Sequence, residues 1–478
     1  MTKELSPEFL LDLRAIGRLL LLRPEELLVY DQDGLTIYKG RASAAVLPRS
    51  MEQVSKIVSL CSKHKVPFIA RGAGTSLSGG TIPIEGGVII ELALMNRILE
   101  VDLENGLVLV ESGAVNLSVS EAVASSGYFY APDPSSQLVC TIGGNISHNS
   151  GGPHTLKYGV TTNNLFGAEV VLANGEVFWL GSRAPDKNGY DLLSLLAGSD
   201  GTLAIVTKAL LKIIPKPQEV CAVLASFETP EDACRTVSDI IAGGVLPSAI
   251  EMMDKLVIGA IEDSIHAAGY PRDAGAVLLV EIDGRIEDVQ DGISKVLKIC
   301  KANKAKQVKV AEEEHERKHL WAGRKAAFAS MGRLGPNYIV QDGVIPRTKL
   351  PEILAKVYQI SNNYSLKIAN VFHAGDGNLH PLIIYDAAKG ETEKAVRASV
   401  ETLKICVEVG GTITGEHGIG IEKRDLTPMI FNETDLDMMM RIKETFDPER
   451  LCNPCKTLPF GSRCTELIPS PKIEKKIL

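Results

Sequence analysis

Three of the nine histidines lie in two glycine-rich stretches that could hold a metal ion. Residues 373–380 read His-Ala-Gly-Asp-Gly-Asn-Leu-His between two apolar runs, and Glu416-His417 follows in the second stretch. The central Gly-Asp-Gly-Asn residues tolerate positive φ, so this pattern predicts a hairpin with antiparallel strands. In such a hairpin we expect His373 and His380 to face each other, with Cβ atoms about 4.5–5.5 Å apart. Glu416 can add an oxygen ligand.

Two imidazoles and one carboxylate make an open metal site, because positions remain for water or substrate. Zn²⁺ is the predicted ion, and Co²⁺, Mn²⁺ or Fe²⁺ would fit these ligands nearly as well. The alternative is that His373 and His380 cap their strands by hydrogen bonding. His417 adjoins a predicted ligand, and the near-neutral pKa usual for histidine suits a general base. Its alternative role is to orient Glu416.

A third glycine-rich stretch suits a phosphate group. Residues 71–80 read Arg-Gly-Ala-Gly-Thr-Ser-Leu-Ser-Gly-Gly directly after an apolar, strand-like run. The glycines let backbone N–H groups approach an anion, and the hydroxyl groups add donors, which together suit a pyrophosphate. No Gly-Lys-Ser/Thr follows, and the spacing is not Gly-x-Gly-x-x-Gly in a strand–helix turn, so neither of those common nucleotide motifs is present.

Composition narrows the class of protein. The chain has 478 residues, a net charge of −8 and nine cysteines. The length predicts two or three domains, and the acidic balance argues against nucleic acid as a partner. An odd number of cysteines without disulfide-like spacing, and no export signal, predict reduced thiols in the cytoplasm. The leucine-rich run 16–23 is too short for a transmembrane segment, and we expect none elsewhere.

The pattern of elements changes once along the chain. Short β-branched runs alternate with glycine-rich turns as far as residue 215, and longer helices alternate with strands after the proline-punctuated stretch 214–219. Both halves read as α+β. We predict an N-terminal helical segment (1–38), a first domain (39–218), a second domain that carries the metal loops (219–458) and a tail (459–478).

Four further blocks reveal a family resemblance. They are Pro-Asp-Pro-Ser-Ser at 132–136, Thr-Ile-Gly-Gly-Asn-Ile-Ser-His-Asn-Ser-Gly-Gly at 141–152, Lys-Tyr-Gly at 157–159 and Gly-Ser-Asp-Gly-Thr at 198–202. In this order they resemble the FAD-binding domain of the vanillyl-alcohol oxidase and p-cresol methylhydroxylase (PCMH) flavoproteins. The metal loops, with Phe-Asp-Pro at 446–448 and Leu-Cys-Asn-Pro at 451–454, resemble the FAD-linked 2-hydroxy-acid dehydrogenase branch, which includes the glycolate oxidase catalytic subunits.

The resemblance implies a fold and a set of site residues. The fold would be a two-part PCMH-type FAD-binding domain, followed by a ferredoxin-like α+β substrate domain with a helical C-terminal cap. Arg324 would bind the substrate carboxylate, since a guanidinium fork suits bidentate binding, with a helix-surface salt bridge as its alternative and Arg347 as a weaker candidate. The implied FAD-binding residues are Arg71, Gly72, Ala73, Gly74, Thr75, Ser76, Leu77, Pro132, Ser135, Thr141, Gly144, Asn145, Ser147, Ile205 and Asn453.

The mode of flavin attachment also follows from the resemblance. Relatives that attach FAD covalently carry a histidine in the pyrophosphate loop, and residues 71–80 contain none, so we expect noncovalent FAD. His148 lies in the 141–152 block, and both a structural role in a turn and a flavin contact stay open. The chain departs from the usual Leu-Asn-Pro-Gly-Lys ending at Cys452 and Cys455. An iron–sulfur cluster there would need a fourth local cysteine, which is missing.

The implied reaction is the FAD-dependent oxidation of a small 2-hydroxy acid, glycolate or D-lactate, to the 2-oxo acid. Electrons would pass from FAD to a partner subunit or quinone pool rather than to NAD. The expected partners are the iron–sulfur and second flavin-type subunits of a glycolate oxidase complex, which would add peripheral membrane attachment to a cytoplasmic location. The alternatives are a D-lactate or D-2-hydroxyglutarate dehydrogenase of the same branch, and a non-catalytic flavin electron-transfer subunit.

Overall fold

The computed structural model describes residues 5–17, 19–184 and 189–459. These residues form two compact units, each of which is discontinuous in sequence. The first unit contains the described residues up to Gly151, then Gly159–Lys216, and then those from Glu416 onward. The second unit contains Gly152–Tyr158 and Pro217–Gly415. His373 and His380 therefore belong to the second unit, while Glu416 and His417 begin the segment that returns to the first.

A small, largely parallel sheet forms one half of the first unit. Its strands, in spatial order, are Leu20–Leu21, Ala44–Val46, Val88–Glu91 and Phe68–Arg71. The last three are parallel and apolar, as expected for strands covered on both faces. Phe9 and Leu13 of the helix Pro7–Ile16 and Val54 and Ile57 of the helix Met51–His64 lie in the core of this half. The strand Phe68–Arg71 ends where the glycine-rich loop begins.

An antiparallel sheet forms the other half of the first unit. Its strands, in order, are Ile98–Asp102, Leu107–Glu111, Ile205–Lys212, Leu165–Val171 and Val177–Gly181, and a two-stranded sheet pairs Tyr128–Phe129 with Ile214–Pro215. Its core includes Ile142 and Ile146 of the helix Ile142–His148. The other α-helices of the unit are Pro24–Leu27, Asn116–Val123, Leu192–Leu196 and Glu433–Phe446.

One large sheet organises the second unit. Its strands, in order, are Gln307–Ala311, Glu219–Phe227, Ala276–Gly284, Ala249–Asp254, Lys367–His373, Asn378–Leu379 and Gly343–Val344, and Pro381–Tyr385 pairs with both Lys367–His373 and Asn337–Val340. Successive side chains of a strand point to opposite faces, and both faces are buried in the strands Ala249–Asp254 and Ala276–Gly284. The α-helices are Thr155–Tyr158, Pro230–Ala242, Lys255–Glu262, Ile286–Ala302, Glu314–Lys325, Ala327–Ser330, Leu350–Tyr364 and Thr392–Glu408.

Seven cysteines are buried and carry free thiols: Cys61, Cys140, Cys221, Cys234, Cys300, Cys406 and Cys452. Burial raises the pKa of Cys452 to about 12, and its Sγ lies 3.2 Å from the backbone oxygen of Gly201, so it behaves as a packed core residue. Cys455 departs from the predicted reduced state, because it is disulfide-bonded. Cys464 lies outside the described residues.

Within residues 5–17, 19–184 and 189–459, no helix has both the length and the apolar character needed to cross a membrane.

Candidate active site

A cleft in the first unit gathers several of the predicted FAD-binding residues. It has about 510 Å³ of empty space, part of it open to solvent. Its walls come from the glycine-rich loop after Phe68–Arg71, from the first turns of the helix Ile142–His148, and from residues 200–206. Arg71, Gly72, Thr141, Gly144, Ser147 and Ile205 line it, as do Ser112, Gly143, His148 and Asp200, which the sequence argument did not assign.

Two glycines on the cleft wall pack more closely than any side chain would allow. A Cβ on Gly72 would lie 2.1 Å from Thr141 Oγ1, and one on Gly143 would lie 2.9 Å from Ser112 Cβ. Gly74 adopts the left-handed conformation with φ of +68°. The glycines therefore keep backbone, rather than side chains, at this wall, and such a wall fits the close approach of a phosphate group.

Three further predicted FAD-binding residues form hydrogen bonds with loops near this wall. Ser76 Oγ accepts a hydrogen bond from the Gly80 amide at 3.2 Å, and Asn145 Nδ2 donates to Asn116 Oδ1 at 2.8 Å. Asn453 Nδ2 donates to the backbone oxygens of Gly80 and Asp200. Of the described residues, Ala73, Gly74, Thr75, Ser76, Leu77, Pro132, Ser135, Asn145 and Asn453 are not among those that line the cleft.

The guanidinium of Arg71 is engaged with the N-terminal segment. Its Nη2 donates to the backbone oxygens of Val29 and Gln32 at 3.0 and 2.9 Å, and the group lies 5.4 Å from the ring centroid of Tyr30. Burial lowers the pKa of Arg71, and Glu91 opposes this shift. The backbone amides of the loop, rather than this side chain, are thus the donors best placed for an anion.

A buried ion pair, which the sequence argument missed, lines the same cleft. His148 Nδ1 lies 2.9 Å from Asp200 Oδ1. Burial lowers the pKa of His148, but Asp200 outweighs it and the pKa is raised overall; burial raises the pKa of Asp200, but His148 leaves it lowered overall. Each partner therefore favours the charged form of the other. An aspartate inside Gly-Ser-Asp-Gly-Thr was the available sequence signal.

The loop that follows Glu416 and His417 packs on this ion pair. A Cβ on Gly418 would lie 2.7 Å from both His148 Nδ1 and Asp200 Oδ1, and the Gly420 amide donates to Asp200 Oδ2 at 2.7 Å. His417 Nε2 and Glu416 Oε1 are 3.8 Å apart, and both side chains are largely buried. The candidate base is thus carried by a loop anchored to the wall of this cleft.

The predicted hairpin is present in the second unit, with a different register. Lys367–His373 and Asn378–Leu379 pair antiparallel, and Gly377 has φ of +83°. His373 pairs with Asn378, because four residues form the turn, so it does not sit directly opposite His380. The two imidazole rings are nevertheless neighbours, with centroids 5.0 Å apart and planes at 89°.

Each of these histidines has its Nδ1 atom held by an oxygen. His380 Nδ1 lies 3.1 Å from the Gln341 backbone oxygen, and His373 Nδ1 lies 2.7 Å from Glu251 Oε1. A carbonyl oxygen only accepts, so His380 Nδ1 carries the proton, and in the neutral imidazole the lone pair is on Nε2. The same tautomer follows for the neutral form of His373, whose Nδ1 faces a carboxylate oxygen. This is the usual arrangement of histidines that ligate metal through Nε2.

A carboxylate that the sequence argument missed lies beside His380. Gly343 pairs with Leu379, which makes Asp342 a cross-strand neighbour of His380, and ligand atoms of the two side chains lie within 4.8 Å of each other. Asp342 Oδ2 accepts hydrogen bonds from Thr414 Oγ1 at 2.6 Å and the Gly415 amide at 3.0 Å. Glu416 is the next residue along the chain. The only sequence cue was an aspartate two residues after an apolar strand.

Arg324 is buried rather than on a helix surface. It lies on the helix Glu314–Lys325, and its Nε and Nη2 atoms are 2.7 and 2.6 Å from Glu251 Oε2. Burial raises the pKa of Glu251, but Arg324 and His373 outweigh it and the pKa is lowered overall. Arg347, the weaker candidate, donates from Nη1 to the Gly375 backbone oxygen, so it holds the hairpin turn.

Lys157 and Tyr158 of the Lys-Tyr-Gly block belong to the second unit and do not line the cleft. Lys157 and Tyr158 both contact the carboxylate of Asp283, and the Tyr158 hydroxyl lies 2.6 Å from its Oδ2. His154 Nε2 lies 2.9 Å from Glu281 Oε1. The segment Gly152–Tyr158 is therefore fastened to the large sheet by buried carboxylates.

The fold matches that of two solved structures over nearly the whole chain. A solved structure of 4-ethylphenol oxidase from Gulosibacter chungangensis superposes with a TM-score of 0.81 at 18% identity, covering 97% of this chain and 99% of that one. p-Cresol methylhydroxylase with substrate bound superposes with a TM-score of 0.77 at 19% identity, covering 96% and 98%. These identities establish the fold alone. The predicted α+β architecture, with a PCMH-type FAD-binding domain, is confirmed.

The chain belongs to the FAD-linked oxidases. Residues 42–181 match the FAD binding domain family, and residues 216–457 match the family of FAD linked oxidases, C-terminal domain. The chain is 46% identical over 461 residues to the glycolate oxidase subunit GlcD of Escherichia coli K12, covering 94% of this chain and 92% of that one. It is 34% identical over 455 residues to D-lactate dehydrogenase of Anaerostipes hadrus, covering 91% and 95%. FAD is therefore its cofactor and oxidoreduction its chemistry.

Proposed function

We propose that this chain oxidises glycolate or D-lactate to the corresponding 2-oxo acid. The observation that carries the proposal is the cluster in the second unit: two adjacent histidines that present Nε2, and a buried arginine linked to one of them through Glu251. A 2-hydroxy acid needs a group for its hydroxyl oxygen and a cation for its carboxylate, and the cluster offers both. Bound FAD supplies the hydride acceptor. The names of the relatives, glycolate oxidase subunit and D-lactate dehydrogenase, support this substrate class.

We propose that His373, His380 and Glu416 hold a divalent metal, with Zn²⁺ as the first choice. The Nδ1 contacts of both histidines support this assignment, because they fix the tautomer that ligates through Nε2. Asp342 is a further candidate for the oxygen ligand. When bound, the metal would lower the pKa of the substrate hydroxyl.

Two side chains complete the proposed chemistry. His417 takes the hydroxyl proton, since an imidazole can accept it at neutral pH. Arg324 binds the carboxylate with its guanidinium, of which Nε donates to Glu251 Oε2 at 2.7 Å. For FAD we propose the same binding residues that the sequence predicts. The position of six of them in the lining of the cleft supports this proposal.

The electron acceptor is proposed to be a partner protein or quinone rather than NAD. Relatives in Escherichia coli and Bacillus subtilis are named as subunits, the latter at 42% identity over 438 residues. We propose iron–sulfur and second flavin-type partner subunits for this chain too. Such partners would place a cytoplasmic protein at the periphery of a membrane.

A substrate panel tests the proposed function. Purified protein is mixed with glycolate, D-lactate, L-lactate or D-2-hydroxyglutarate, with either an artificial dye or NAD⁺ as acceptor. We expect glycolate or D-lactate to reduce the dye fastest and NAD⁺ to stay unreduced. Preference for D-2-hydroxyglutarate would favour the alternative dehydrogenase. A flavin that none of these acids reduces would favour the non-catalytic electron-transfer subunit.

The flavin should leave the protein on denaturation. We expect acid precipitation to release all yellow colour into the supernatant, because residues 71–80 contain no histidine for covalent attachment. Absorbance of pellet and supernatant measures this. The informative control is His148→Gln, since His148 lines the cleft. Colour that stays in the wild-type pellet but not in the His148→Gln pellet would overturn the noncovalent assignment and identify the attachment site.

A further inference from the structure

Glu251 lies buried between two side chains of the proposed active site. It is fully buried, and its two carboxylate oxygens serve different partners. Oε1 lies 2.7 Å from His373 Nδ1, and Oε2 lies 2.7 and 2.6 Å from Nε and Nη2 of Arg324. One carboxylate therefore joins a candidate metal ligand to the candidate substrate-binding arginine.

The sheet explains why the three groups meet. Glu251 lies in the strand Ala249–Asp254 and pairs across the ladder with His373. It points to the same face as Ala249 and Met253, both of which belong to an apolar core cluster. A charged group in that layer is costly unless it is paired and hydrogen-bonded. The register supplies His373 as one partner, and the helix Glu314–Lys325 supplies Arg324 as the other.

We propose that Glu251 is a positioning residue that strengthens metal binding by His373 and restrains carboxylate binding by Arg324. The inference rests on the proposed function. By accepting the His373 Nδ1 proton, Oε1 fixes the ring and makes Nε2 a better ligand. By pairing with the guanidinium, Oε2 offsets part of the positive charge that a substrate carboxylate would meet. Removal of the negative charge should therefore move the two affinities in opposite directions.

Glu251→Gln tests this coupling in the full-length protein with its FAD. Zn²⁺ alone is titrated into metal-stripped protein, and we expect about 10–100-fold weaker binding, the usual effect of losing a partner of a metal-bound histidine. In zinc-saturated protein, calorimetry with 2-hydroxyisobutyrate, which has no hydrogen on Cα to transfer, should show roughly tenfold tighter binding, because one buried negative charge is gone. A purely structural defect would weaken both.

Glu281→Gln is the matched control. Glu281 is also a buried acid of the same sheet; one oxygen contacts His154, and the other accepts from Trp321 Nε1 at 2.6 Å, on the helix that carries Arg324. We expect this variant to leave both affinities within about twofold of wild type. Equal changes in the two variants would overturn the inference.

If Glu251→Gln fails to fold, Glu251→Asp provides a second variant for the same test. Aspartate retains the charge but is one methylene too short to keep both contacts, so zinc binding should weaken without tighter analogue binding. Unchanged zinc affinity in Glu251→Asp or Glu251→Gln would reject the proposal. Wild-type protein that binds no zinc would instead reject the proposed metal. In that case calorimetry with 2-hydroxyisobutyrate on the metal-free protein still decides whether Glu251 restrains Arg324.

Discussion

His417→Ala is expected to bind FAD and metal normally and yet reduce its flavin about 10²–10⁴-fold more slowly, the usual range for removal of a general base. The reason is that the hydroxyl group must lose its proton when the hydride leaves Cα. Alanine cannot accept that proton. Anaerobic stopped-flow mixing with glycolate or D-lactate measures the rate at the flavin absorbance. Flavin and metal content, measured on the same sample, exclude loss of a cofactor.

Two variants sharpen the interpretation of His417→Ala. Glu416→Ala should lose its metal as well as reduce its flavin more slowly. This difference separates a metal ligand from the neighbouring base. His319→Ala removes an exposed histidine of the helix Glu314–Lys325 and should leave the rate unchanged. Flavin reduction at a near-normal rate in His417→Ala would assign the proton transfer to another group. Loss of metal in His417→Ala would make it a ligand or a residue that orients Glu416.

His380→Ala is expected to reduce metal content from about one ion per chain to a small fraction. Its Nδ1 is held by the Gln341 backbone oxygen, so Nε2 is the atom that the variant removes from the site. Loss of a ligand should weaken metal binding by more than about 10–100-fold, the usual effect of removing a hydrogen-bond partner of a metal-bound histidine. Elemental analysis after dialysis against a metal buffer measures the effect. Full metal occupancy in His380→Ala would contradict the site assignment.

The carboxylate ligand can be identified in the same experiment. Asp342→Asn and Glu416→Gln remove one charge each while keeping the size of the side chain. If Glu416 is the ligand, Glu416→Gln should lose metal and Asp342→Asn should keep most of it. Asp342 also accepts hydrogen bonds from Thr414 and Gly415, so thermal unfolding of both variants is needed to separate a loosened loop from a lost ligand.

The sequence by itself determined the class of fold and the places where chemistry could occur. Glycines reveal turns through their own backbone freedom, and the hairpin that carries His373 and His380 followed from the glycine-rich residues between apolar runs. The pairing of His373 with Asn378 rather than with His380 did not follow from the sequence. The loop at residues 71–80 was recognisable for the same reason. Such features are local, because φ, ψ and side-chain alternation depend on residues adjacent in the chain.

The tertiary structure decided which side chains meet through space. Glu251 is an acid inside an apolar strand, and only the register with His373 and the position of the helix that carries Arg324 show what it binds. The pairing of His148 with Asp200 likewise joins distant segments, and the guanidinium of Arg71 turns toward the N-terminal segment. Sheet register and helix packing fix these partners because buried charges persist only where another element supplies the opposite charge.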